Sequence, residues 1–513
     1  MKRDYGDMYQ YILESKKAVR NIISNHEEIF HDAIEYFFNG NYEQIYVIGS
    51  GTSYHAALAA KNLMEKVLQM KVFASYPIVF KDERIFNKNT LVMGLSHAGM
   101  SASTIAGLDK AKANGFGTIA MTAEKGRPVE HHGDVKLYVD IGEEKAGPKT
   151  KGYIGSIVTF MIFALKVALR QEKITQDEFD DYLRRMQASA DAIPDIAEAT
   201  SKWYLQNRND LMKCRRLYVI GYDNCLADMM EGTLKICEAV RYSVQGFELE
   251  EFMHGIYHCI DEDTYMLYVC SKGQYYDRIL RLKRYFEEER HSHNFLITHE
   301  NTNNSKDLVF PFTDDQEFAV LQYIVPMQVL ARKLSLDLGI DCNIPSDPQF
   351  HFKMNSYLKE GFEEKYDLND DGNLFSHGQL ATGLADSCKL IIGENHFKVL
   401  NILLDQNIQE IKNNLDVMIQ SFDDNQPVIV VTDIPGGSTT QTAIQRISDN
   451  KLLYVVTGMN LGLVMSLSFL SLSQDDEDNK NKIRDAIEES QKGIYLVNDV
   501  ISCNDELSDD DDL

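Results

Sequence analysis

Positive charge is scarce in this sequence. Fifty-two Lys and Arg face 78 Asp and Glu over 513 residues, a formal charge of −26, so the electrostatic attraction behind nucleic-acid and anionic-membrane binding is opposed. Neither partner is expected. The eight cysteines all lie from Cys214 onward, with no CxxC pair and no close Cys/His cluster, which argues against a disulfide framework and a structural zinc site. Reduced thiols in a cytoplasmic setting are expected, and nothing in the chain suggests a metal or an organic cofactor. The N-terminus has no apolar h-region and does not read as a signal peptide. The longest apolar run, 154–169, contains Lys166 and is short for a bilayer, so it predicts a buried helix rather than a membrane insertion.

What is present is ordinary globular material, 44% hydrophobic and 25% charged, with length for about three domains. A helical opening (7–38) leads into QIYVIGSGTSYHAALAAKNLMEK, where strand, Gly/Ser/Thr turn and amphipathic helix follow in succession. Such a turn is either a capped helix start or an anion site, in which Thr52, Ser53 and unpaired N–H groups meet a ligand. TLVMGLSHAGMSASTIAGLDKAKANG repeats the pattern with Ser96, His97, Ser101 and Ser103. GTIAMTAE and KLYVDIG read as further parallel strands, and 175–212 as a polar helical connector. The pattern then returns: Tyr46-Val47-Ile48-Gly49 is echoed by Tyr218-Val219-Ile220-Gly221, a duplicated βα unit. In EGTLKICEAVRYSVQGFELEEFMH, Glu231, Lys235 and Glu238 fall at i, i+4 and i+7 and share one helix face. That face is either solvated, with a weak Glu–Lys pair, or chemical.

EGTLKICE followed by EEFMHG resembles EGALKLKE followed by GELKHGP, the signature of the SIS (sugar isomerase) family in the branch holding the isomerase domain of glucosamine-6-phosphate synthase and the fructosamine-6-phosphate deglycases. VPMQVLARKLSLDLGIDCNIP also resembles that family, so the likeness covers about 35–350. It implies two α/β lobes with parallel doubly wound sheets, 1–200 and 201–353, and a homodimer or higher homo-oligomer with shared sites. Ser53, Ser96 and Ser101 match the family's phosphate-holding serines, with Thr52 beside them. His97 and Ala98 replace an amide and a hydroxyl. Lys149, Thr150 and Lys151 match a loop near the substrate, and Lys353 stands nearest to a family lysine. The resemblance implies that Glu238 shuttles a proton between carbons 1 and 2 of a phosphosugar, that Lys235 stabilises the developing enolate oxygen and that His254 opens the ring. Glu231 and Glu251 match further family acids.

The charged stretch 354–372 reads as a linker. After it, NLFSHGQLATGLADSCKLIIGE, PVIVVTDIPGGSTTQTAIQRIS and KLLYVVTGMNLGLVMSL each run strand, turn, helix, which predicts a third α/β domain over 373–503. QDDEDNKN near 474–481 and an acidic tail (504–513) read as solvated charge. The third domain resembles enzyme IIA of the mannose-type sugar phosphotransferase systems. That resemblance implies phosphorylation of His377, orientation by Asp433, and phosphoryl oxygens held by Ser438 and nearby N–H groups. It also implies a phosphocarrier protein and a IIB component as partners. The first strand is expected to be cut down to Asn373-Leu374-Phe375.

Together the resemblances imply an isomerase, deaminase or deglycase acting on an amino-sugar or sugar–amine 6-phosphate, coupled to a phosphotransferase system. The alternative is a phosphosugar sensor whose IIA-like domain is phosphorylated on His377. The chain enters its first βα unit before residue 50 with no N-terminal Cys nucleophile, so synthesis from glutamine is not expected.

Overall fold

The computed structural model describes residues 6–347, 350–358, 373–392, 397–402, 412, 414–416, 427–447, 452–470, 472–473 and 475–497. The acidic tail and most of the expected linker lie outside them. The chain divides into two compact units, Met1–Glu363 and Glu364–Leu513.

The first unit holds two parallel sheets. One contains β1 (Gln44–Ile48), β2 (Lys71–Ser75), β3 (Thr90–Leu95), β4 (Gly117–Thr122) and β5 (Val135–Tyr138) in the order β2-β1-β3-β4-β5. The other contains β6 (Arg216–Gly221), β7 (Ser243–Glu248), β8 (Tyr265–Val269), β9 (His293–Thr298) and β10 (Leu308–Val309) in the order β10-β9-β8-β6-β7. Read from the other edge, the second order repeats the first, strand for strand, and β1 and β6 carry the duplicated Tyr-Val-Ile. β3 and β8 are buried along their whole length, as parallel strands covered by helices on both faces must be. The α/β class with parallel sheets read from the sequence is the one observed.

One apolar core serves both sheets. The helix Lys151–Arg170 runs through it and packs on the helices Met8–Ser24 and Thr52–Leu68. This is the apolar run, and at 20 residues it is long enough to cross a bilayer. Its burial, not its length, marks it as a core helix: 89% of its most apolar window lies inside the protein. Phe160 and Phe163 are fully buried there, each worth about 1.5–3 kcal/mol of transfer free energy. Position 200 falls inside the helix Ile193–Leu211.

The second unit has a four-stranded parallel sheet of β11 (Asn373–His377), β12 (Lys398–Ile402), β13 (Val428–Thr432) and β14 (Leu453–Thr457), ordered β12-β11-β13-β14. β11 is an interior strand running through His377, two residues longer than its apolar start suggests. Ser376 can be buried there because its Oγ accepts the Ala381 N–H at 2.8 Å. The acidic run near 474–481 is not simply solvated charge. It opens the helix Asp476–Lys492, capped by Asp475 and with three carboxylates in its first turn, where the helix dipole favours them.

Candidate functional site

In an open parallel sheet, the crevice at the C-terminal strand ends, where the winding reverses, is where ligands bind. In the first sheet the reversal lies between β1 and β3, so the turns 49–53 and 96–101 flank it. Gly51 has φ +55°, a left-handed value that favours glycine, and it starts the helix Thr52–Leu68 with Ser53 buried in its first turn. In the second turn, Ser96 Oγ accepts the Ser101 N–H at 3.1 Å. Ser101 Oγ lies 3.2 Å from Ser103 Oγ and caps the helix Ala102–Ala113 by accepting from Thr104 N–H. Three hydroxyls thus gather at one helix start.

His97 stands beside them with both ring nitrogens buried and, among the described residues, without a hydrogen-bond partner. Burial pushes its pKa down to about 4, against the opposing pull of Glu144, so the ring is neutral near pH 7. Gly152 makes room for it: a Cβ there would fall 2.1 Å from Nε2. Glu144 accepts from the N–H groups of Thr150 (2.7 Å), Lys151 (3.0 Å) and Gly152 (2.8 Å), closing the N-terminus of the helix Lys151–Arg170 with a carboxylate.

The helix Cys225–Val240 carries the charged row, and its orientation decides between the two readings of that face. Glu231 and Lys235 are 0% and 1% exposed, whereas Met230 and Leu234 are only partly buried. The charges face the protein interior. Glu231 takes the Thr52 hydroxyl at 2.9 Å and His55 Nδ1 at 2.7 Å, which joins the first turn of one lobe to the helix of the other. Lys235 Nζ lies 3.5 Å from Glu231 and 2.7 Å from Glu238. Burial works against its charge, but the two carboxylates outweigh burial and hold its pKa above the ordinary lysine value. It is a fixed, dehydrated cation. Glu238, at the outer end of the row, keeps 39% of its side chain exposed.

One turn earlier, Asp228 is fully buried; burial pushes its carboxyl well above the ordinary value, against the hydrogen bond that Tyr153 OH donates to Oδ1 at 3.1 Å. A raised folded-state pKa gives stability that is complete below the unfolded aspartate value of about 4 and is lost as pH rises toward the folded value. Asp228→Asn, which can still accept from Tyr153, is therefore expected to remove that loss, gaining up to about 1.4 kcal/mol over wild type per pH unit across the window. Urea midpoints from pH 4 to 8 measure it; parallel wild-type and variant curves contradict it.

The other sequence-predicted residues are dispersed. His254 and Glu251 are exposed, at and just before the end of the short helix Leu249–Met253, and among the described residues neither side chain bonds to the Glu231–Lys235–Glu238 row. Lys151 is held by Glu14 at 2.8 Å, Thr150 is bound to Glu144, and Lys149 reaches the Glu144 carbonyl. Lys353 pairs with Asp347. His55 and Glu144 escaped the sequence reading, because a His four residues past a glycine and a Glu in a charged loop carry no spacing signal.

The second unit places a compact cluster at its own reversal point. His377 ends β11 and Asp433 directly follows β13. Asp433 Oδ2 accepts the His377 N–H at 2.8 Å and faces Nδ1 at 2.7 Å; Oδ1 accepts Thr439 Oγ1 at 2.7 Å and Ile434 N–H at 3.0 Å. Burial works against its charge, and these donors overcome burial to hold it below the usual range. An ionised Asp433 only accepts, so Nδ1 carries the proton and the Nε2 lone pair faces Ser438 Oγ at 2.7 Å. The His377 side chain remains 42% exposed. The result is an oriented, accessible nucleophile.

Comparison with known proteins follows this division. The SIS domain model matches residues 41–166, and the model of the PTS system fructose IIA component matches 374–483. Curated relatives include glutamine–fructose-6-phosphate aminotransferase (isomerizing) of Thermococcus kodakarensis, 26% identical over 66% of this chain and 56% of that protein. The Clostridium acetobutylicum enzyme of the same name is 27% identical over 60% and 51%. The chain spans about half the length of the curated relatives it matches. Similar solved structures include a protein from Clostridium difficile 630 described as a phosphosugar isomerase, at 28% identity and TM-score 0.65, covering 68% of this chain and 99% of that one. Another, from Salmonella typhimurium LT2 and described as a sugar binding protein, has 28% identity and TM-score 0.58, covering 64% and 99%.

Proposed function

We propose that the first unit processes a phosphosugar by moving a proton between carbons 1 and 2, as an isomerase, deaminase or deglycase acting on an amino-sugar or sugar–amine 6-phosphate. The observation that carries this reading is the row in which buried Glu231 and Lys235 lead to the accessible Glu238, beside the hydroxyl-lined turns. Glu231 and Glu238 keep Lys235 charged inside the protein, and an enediolate or enolamine oxygen is a further negative charge that such a cation can meet. In this reading Ser53, Ser96 and Ser101 hold the phosphate and neutral His97 offers one ring nitrogen as donor or acceptor. Glu238 removes and returns the carbon-bound proton, and Lys235 stabilises the oxygen as charge develops. Glu231 fixes Lys235, Thr52 and His55 in place. His254, exposed and with no side-chain partner among the described residues, would serve the site of a second copy, with Glu251 beside it.

The second unit, in the same reading, accepts a phosphoryl group on His377 Nε2 from a phosphocarrier protein and passes it to a IIB component, linking sugar import to sugar-phosphate use. The complete His377–Asp433–Ser438 cluster also favours a second reading, in which the first unit senses a phosphosugar without turnover and the second reports phosphorylation. Calorimetric titration tests the shared premise: fructose 6-phosphate is expected to bind and fructose to bind at least about tenfold more weakly, for want of phosphate hydrogen bonds to charged groups. Equal binding of the two would remove both readings. Binding without carbon-bound proton exchange would favour the sensor.

A further inference from the structure

Residues 356–358 fall in the stretch whose composition reads as linker, yet they are pinned across the second turn. Ser101 and Tyr357 form an antiparallel bridge. The Ala102 N–H donates to the Ser356 carbonyl at 3.0 Å and the Leu358 N–H to the Met100 carbonyl at 2.9 Å. The Leu358 side chain packs against the apolar cluster that includes Ile48, Phe80 and Ile105. The Tyr357 ring stacks on His351, centroids 4.2 Å apart and planes 9° apart, and His351 Nδ1 in turn meets Ser356 Oγ at 2.9 Å. A backbone pair, a ring stack and an apolar anchor hold three residues over the helix start where Ser96, Ser101 and Ser103 gather.

The position of Tyr357 has a chemical consequence. The residue is half-buried; burial first, and then the carboxylates of Glu124 and Glu238, raise the pKa of its phenol. The hydroxyl therefore stays protonated at neutral pH, within the field of the carboxylate proposed to move the carbon-bound proton. A phenol both donates and accepts, which suits a sugar hydroxyl. The strap also takes one donor from an incoming phosphate, since the Ala102 N–H is already bonded to Ser356.

We propose that Ser356–Leu358 is a strap closing the phosphosugar site and that Tyr357 is its specificity residue, its hydroxyl contacting the sugar beside Glu238. This rests on the phosphosugar reading of the first unit. The strap differs in kind from the turns it covers, since its attachment to the second turn, two backbone hydrogen bonds and one leucine, can open and reclose as ligand enters, while His351 keeps the three residues together. A ligand that touches the closed strap draws it shut, by its differential affinity for that state.

The test is the affinity of the full chain for fructose 6-phosphate and for inorganic phosphate, in wild type, Tyr357→Phe and Leu358→Ala. Phe keeps the ring stack and the bridge and removes only the hydroxyl. The expected result for Tyr357→Phe is at least about tenfold weaker fructose 6-phosphate binding with phosphate binding unchanged, a split that a merely structural tyrosine would not produce. Leu358→Ala, which frees the strap, is expected to weaken the sugar phosphate and to speed amide hydrogen exchange at Ala102 and Leu358. Equal losses for both ligands in Tyr357→Phe, or no loss for either, overturn the proposal and leave the phosphosugar reading standing. Failure of wild type to bind fructose 6-phosphate overturns both together.

Discussion

Glu238→Gln is expected to slow solvent-proton exchange at carbon 1 or 2 of a bound phosphosugar by about 10²–10⁴-fold, the contribution of a positioned general base. Affinity for the same phosphosugar is expected to change only a few-fold. Glutamine has the shape of glutamate and still accepts a hydrogen bond from Lys235, which Glu231 also holds from 3.5 Å. The serines proposed to hold the phosphate lie on other elements, Ser53 after β1 and Ser96 and Ser101 after β3. Loss of exchange with binding intact separates the base from the binding groups. A parallel fall in both would show instead that Glu238 acts through the placement of Lys235, and Lys235→Met would then reproduce the phenotype.

The second large effect belongs to the other unit. His377→Gln is expected to abolish phosphoryl incorporation from a phosphocarrier protein, and Asp433→Asn to reduce its rate by at least about 100-fold. The second figure follows from the tautomer. With Asp433 ionised, Nδ1 keeps the proton and Nε2 presents its lone pair beside Ser438; an amide in its place can donate to Nδ1 and turn the reactive lone pair away. The same exchange beneath a catalytic histidine elsewhere costs a rate factor of about 10⁴. Intact-protein mass spectrometry after a timed reaction measures both variants, and Asp433→Asn labelling at the wild-type rate contradicts the assigned role.

Much of this was legible before any coordinates. Strand–turn–helix succession located β1, β3, β6, β11 and β13, because each joins a run of apolar residues to a turn of small or polar ones. The duplicated Tyr-Val-Ile foretold two sheets of the same winding. The spacing of Glu231, Lys235 and Glu238 put them on one face, but which way that face pointed was not legible. The sequence left that face either solvated or chemical; in the structure Glu231 and Lys235 turn inward, and Glu231 is met by Thr52 and His55 from a helix more than 170 residues away in sequence. A helix pattern records amphipathicity; burial of its polar face depends on tertiary partners that the local pattern does not contain. Two edge strands were silent for another reason. β2 reads Lys-Val-Phe-Ala-Ser with two exposed positions, and β12 is only half-buried throughout; neither holds a continuous apolar run. Tyr357 was hidden most deeply, since linker-like composition says nothing of a short stretch pinned by backbone hydrogen bonds.

The measurement that bears most directly on the central claim is proton NMR of the purified chain in deuterated water. Fructose 6-phosphate, glucosamine 6-phosphate and fructosamine-6-phosphate adducts are supplied in turn, with Glu238→Gln alongside. Proton exchange through the Glu238–Lys235 pair predicts deuterium at carbon 1 or 2 of at least one of these with wild type and its near-complete absence with the variant. Saturable binding of a phosphosugar with no deuterium incorporated from any of the three, or equal incorporation by both proteins, would contradict it.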